Sequence, residues 1–140
     1  MQTNVTGIFA CGNVLHVNDL VDNVSVESEK AGKSAALFAQ GKLEADNEYI
    51  EIVPGDNVRY VTPQKVDKNA SDAVTVYFRV GAPDEKVSIK AIADNMELKS
   101  IKRPFVNPGE IESITLDAEA FSENSHSEIV ISSAKEQEVL

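Results

Sequence analysis

A chain of 140 residues has room for one ordinary core, or for part of one domain joined to a small second one. Its formal charge of −10, with 13 Lys and Arg against 23 Asp and Glu, repels phosphate backbones, and the basic residues are scattered, so nucleic acid is excluded as a partner. One cysteine rules out an internal disulfide or a paired-cysteine redox centre. No run approaches the roughly 20 apolar residues of a membrane span, and the N-terminus lacks a secretory signal, so the expected setting is the cytoplasm, away from the bilayer.

In chain order, Gly7-Ile8-Phe9-Ala10-Cys11-Gly12-Asn13-Val14 is a short apolar run closed by Gly and Asn, the pattern of a buried strand ending in a tight turn. Leu20, Val21, Val24, Ala31, Ala35 and Phe38 then recur at helical spacings, with Glu27, Glu29, Lys30 and Lys33 expected largely on the opposite, solvated side. Asp19 or Asp22 is placed to cap this helix, the Ala31-Gly32 step suits close packing on a sheet, and Gly41 suits its end. Composition changes at about residues 41–48. The predicted domains are 1–42, a strand-turn-helix, and 43–140. The first carries three Lys against four acids; ten basic and nineteen acidic residues follow it.

From Tyr49 onward apolar and polar residues alternate with period two, predicting strands at 49–53, 58–62, 73–80, 86–93, 96–102, 110–116 and 128–133. Pro54-Gly55-Asp56-Asn57, Gly81-Ala82-Pro83-Asp84, Asp94-Asn95 and Asn107-Pro108-Gly109 are turn combinations between them. In the third strand Val74, Val76, Phe78 and Val80 share the face expected to meet a core. The fold class is therefore mainly β, an immunoglobulin-like antiparallel β-sandwich after the strand-turn-helix, with a frayed or weakly helical tail over 134–140.

The segment Thr3-Asn4-Val5-Thr6-Gly7-Ile8-Phe9-Ala10-Cys11-Gly12-Asn13-Val14 resembles the second flavin fingerprint of the pyridine nucleotide-disulfide oxidoreductase-like family, in which a Thr, a Gly, an apolar strand and Ala-x-Gly-Asp precede a helix. Here Asn13 stands where the family has Asp; it keeps an acceptor and gains a donor but loses the charge. The continuation Asn13-Val14-Leu15-His16-Val17-Asn18-Asp19-Leu20-Val21-Asp22, with Ala31-Gly32, is similar to a bacterial group of FAD-dependent NAD(P) oxidoreductases that carry a β-rich extension. Pro54-Gly55-Asp56-Asn57-Val58-Arg59-Tyr60-Val61 and Val76-Tyr77-Phe78-Arg79-Val80 look like segments of those extensions.

The resemblance implies that 1–42 is the terminal strand and helix of an FAD-binding domain. Cofactor contacts would come from Gly12, Asn13 and Val14, and from the amides near Val24 and Ser25 at the flavin edge. Hydride transfer between nicotinamide and flavin would then be carried by FAD and NAD(P), with no catalytic residue in this chain. No G-x-G-x-x-G occurs, so the pyrophosphate-cradling half would come from sequence before residue 1 or from a companion subunit, and this chain alone is expected to be inactive. Homodimerisation would cover the apolar surface otherwise left open.

Against these roles stand plainer ones. Cys11 reads as a small strand residue, His16 and His126 as polar loop residues, and Arg59 and Arg79 as solvent-facing or ion-paired. No metal site is predicted, since two distant histidines do not converge. The competing function is a non-enzymatic β-sandwich protein-interaction module without flavin dependence.

Overall fold

The structure, a computed structural model, describes residues 1–43, 48–122 and 126–135. The chain falls into two units, Met1–Asn47 and Glu48–Leu140. Each is described by itself.

In the first unit the apolar run at 7–14 does not form the expected strand. Gln2 and Phe9 make one isolated antiparallel bridge, supported by Thr3 N–H donating to the Ile8 carbonyl (2.8 Å) and Ala10 N–H to that of Met1 (2.9 Å). The run instead ends in a 3-10 turn, Gly12–Val14. A continuous apolar run becomes a buried strand only when a sheet flanks it, and this unit has no other strand among its described residues. Ile8 and Val14 are accordingly exposed.

Helix α1 spans Val21–Ala39. The N-cap position is occupied by Leu20, with no side-chain cap bond, and not by Asp19 or Asp22; Asp22 sits in the first turn, where its charge suits the helix dipole. At the other end Gly41 adopts φ +67. Its N–H donates to the Phe38 carbonyl, and the Lys42 N–H donates to that of Leu37 (both 2.9 Å), a Schellman closure. Gly7, at φ +84, lies under the Phe38 ring, which meets Phe9 edge-on at 6.1 Å. Gly32 is exposed with open space where a side chain would stand, so it packs on nothing.

The second unit is a two-sheet β structure. Its strands are β1 (Tyr49–Pro54), β2 (Val58–Thr62), β3 (Lys65–Asp67), β4 (Val74–Val80), β5 (Asp84–Ala93), β6 (Met96–Val106), β7 (Glu112–Leu116) and β8 (Glu128–Lys135). A short helix, α2 (Glu119–Ser122), precedes β8. One sheet has the order β3-β1-β8-β5-β6 and the other β2-β4-β7. Every pairing is antiparallel except β1 with β8, which runs parallel from Glu51↔Glu128 to Pro54↔Ile131. The expected wholly antiparallel sandwich thus contains one parallel joint. Residues 134 and 135 belong to β8, and 136–140 lie outside the described residues.

The core follows from alternation. Val76, Phe78 and Val80 on β4 turn inward, as do Val87, Ile89, Ala91 and Ala93 on β5 and Ile129 and Ile131 on β8. Fully burying such side chains contributes about 1.5–3 kcal/mol each relative to exposure. Asp94 (φ 48) and Asn95 (φ 66) make the two-residue β5–β6 turn, whose positive φ values these residue types tolerate. Phe121 seals one end of the core from α2. Arg79 reaches the Pro108 carbonyl (3.2 Å), and Arg59 is exposed.

Candidate functional site: a buried carboxylate behind a left-handed turn

Val24, Glu27 and Ala31 are three and four residues apart, so they share one stripe of α1. The helix therefore turns a carboxylate inward with its apolar residues. Glu27 is 2 % exposed and His16, in the preceding loop, 7 %. The expected assignments of Glu27 to the solvated side of the helix and of His16 to a plain loop position both give way to one buried cluster.

Isolating a carboxylate from water costs several kcal/mol unless donors replace the lost hydration. Glu27 has three. The Gly12 backbone N–H donates to Oε2 at 2.9 Å, the Asn18 side-chain amide to Oε2 at 3.3 Å, and His16 Nε2 to Oε1 at 2.5 Å. Both oxygens are engaged, so the group acts as a clamp on the 12–18 loop and is badly placed to be a general base.

Gly12 is where the clamp bears. Its φ of +70 is strained for any residue with a Cβ, and an added Cβ would lie 3.3 Å from Val24 Cγ1. Gly12 and Val24 are therefore brought together. Asn13 is exposed, and its Oδ1 accepts the Asn18 N–H (3.1 Å), which closes the loop from the other side. Val14 is 83 % exposed. Val24 and Ser25 lie beyond the first turn of α1, where amides bond within the helix; the Asn23 N–H already donates to the Leu20 carbonyl (3.2 Å), so the amides that helical geometry leaves without an intrahelical acceptor are those of Val21 and Asp22. Ser25 Oγ donates to the Val21 carbonyl (3.2 Å). Burial, and secondarily Lys30, push the Met1 amino group below its ordinary pKa.

In the second unit His126 is also buried. Its Nδ1 donates to Asp94 Oδ2 at 2.5 Å, tying the segment before β8 to the β5–β6 turn, and Nε2 has no hydrogen-bond partner among the described residues. A groove of about 310 Å³ lies between β6 and α2, with the Lys99–Asp117 ion pair (3.1 Å) on its wall. Cys11 is half-buried and in no disulfide. Among the described residues no group of three or more His, Cys, Asp or Glu converges as metal ligands, and no helix is long and apolar enough to cross a membrane.

Comparison with known proteins found no matching family model, no similar curated protein and no similar solved structure.

Proposed function

We propose that the first unit is the terminal part of an FAD site in a flavin-dependent NAD(P) oxidoreductase of the cytoplasm, and that the β unit serves docking or oligomerisation. The observation that carries this reading is the Gly12 turn: a left-handed glycine, buried against Val24 and Glu27, eight residues before the N-cap, Leu20, of a 19-residue helix. A turn of this kind lets a ligand approach backbone closely, and the helix N-terminus beyond it favours negative charge.

The residues fit a ribityl or phosphate contact through the exposed Asn13 side chain and the Val21 and Asp22 amides at the start of α1. They fit less well through the Gly12 N–H, which Glu27 occupies. Gly12 would then serve through its left-handed turn, which sends Asn13 outward, and Val14 by covering the ligand with apolar surface. When bound, the flavin supplies the hydride-transfer chemistry; this chain binds and orients it. The G-x-G-x-x-G half missing from the sequence would come from further sequence or a companion subunit.

Calorimetric titration of FAD into this chain, and into a chain extended upstream to include that half, tests the reading. Binding is expected only in the extended protein, weakened about tenfold by Asn13→Ala through loss of a hydrogen bond to a charged or polar ligand oxygen. Absence of binding in both would leave the protein-interaction module as the better account.

A further inference from the structure

We propose that Glu27 is the positioning residue of this site: its buried carboxylate sets the left-handed turn at Gly12 and thereby aims Asn13 and the first-turn amides of α1 at the ligand. The identity of the ligand rests on the flavin reading above. The control of the turn does not.

Three features of the cluster argue for this role. The carboxylate is nearly inaccessible, so it touches no ligand itself. It reaches across 15 residues of sequence to a backbone amide and across 11 and 9 to His16 and Asn18, so one helix residue fixes three points of the loop. The amide it holds belongs to the residue whose φ of +70 decides the direction in which Asn13 leaves. A backbone N–H held by a charged acceptor is also a stronger tether than one held by a neutral group.

Consumption of the Gly12 N–H has a chemical consequence. It places negative charge behind the turn, so any anionic ligand oxygen must be received by Asn13 and the helix amides on the outer side. Asn in place of Asp at position 13 suits that arrangement, because a second carboxylate beside Glu27 would add repulsion where the ligand binds.

The test uses the full chain and its FAD-binding extension, each as wild type, Glu27→Gln, Glu27→Ala and, as an exposed control on the same helix, Glu29→Ala. Gln keeps an acceptor for the Gly12 amide; Ala removes it. Amide hydrogen exchange of Gly12 and Asn18, read by NMR alongside helix content by circular dichroism, reports the turn without any flavin. Calorimetry reports the ligand.

The expected result is loss of Gly12 protection in Glu27→Ala with helix content kept, and FAD affinity lowered about tenfold or more, the scale of a lost charge-assisted hydrogen bond. Glu27→Gln should show an intermediate loss of both, because a neutral acceptor holds the amide less strongly than a charged one, and Glu29→Ala should change neither. Gly12 protection unchanged in Glu27→Ala overturns the proposal. So does a loosened turn with unaltered FAD affinity. If Glu27→Ala fails to fold, Glu27→Gln decides: an intermediate loss of protection and affinity supports the role, and no change in either overturns it. An extended wild type that binds no FAD sinks the flavin reading, while the exchange data still decide whether Glu27 governs the turn.

Discussion

At Gly7 a single methyl group is a severe test of the first unit. A Cβ there would stand 2.7 Å from Phe38 Cε1, on a residue already at φ +84. Gly7→Ala should therefore cost about 1–3 kcal/mol in denaturant unfolding, from backbone strain and displacement of the ring together. In the second unit Phe78, with no exposed surface, should cost about 3–5 kcal/mol on truncation to alanine, whereas Val14→Ala should stay within about 0.5 kcal/mol. Gly12 was legible in the sequence, because a glycine closing an apolar run ahead of a helix has few other uses. Glu27 was not: a glutamate on a helix defaults to solvent, and only the folded loop supplies the donors that let it stay inside. Its spacing from Val24 and Ala31 was the available signal, outweighed by the expectation for its residue type. His16 was obscured for the same reason, since its partner lies eleven residues away.

The elements were recovered where local pattern and tertiary pairing agree. All seven strands read from alternation are present, β4 with the inward face expected, because a strand with one face in a core writes that face into every second position. β3 and α2, with three and four residues, are too short to show a period and are held by the buried Val66 and Phe121 instead. The strand expected over 7–14 failed in the opposite direction, for its composition suits a sheet, and the described residues of this unit contain none. Helix α1 ends at the glycine that sequence pointed to. Gly41→Ala would force a Cβ into the left-handed region and should lower stability by about 1–2 kcal/mol, with fraying of the last turn visible as lost amide protection at Lys42.

For the molecule as a whole, the core cluster of the second unit is drawn entirely from its own residues, from Ile50 to Ile131. Residues 48–140 expressed alone should fold and give the dispersed NMR spectrum of a packed core; a collapsed spectrum would show that the core depends on the first unit. Most of the exposed large apolar side chains among the described residues, Val14, Val17, Leu20 and Val21 among them, lie in the first unit. Sedimentation should accordingly detect self-association at high concentration, abolished by Val14→Lys with Val21→Lys. Strand order was the least legible feature, since alternation says which face is buried and nothing about which strand lies alongside. The parallel joint of β1 to β8 is the clearest instance, and it bears on synthesis. Until residues 128–135 leave the ribosome, β1–β3 and β5–β6 are two separate ribbons with open edges, and the strand that joins them is the last of the eight to emerge. The five-stranded sheet must therefore assemble after translation of nearly the whole unit, leaving the nascent chain dependent on its acidity to keep those edges apart.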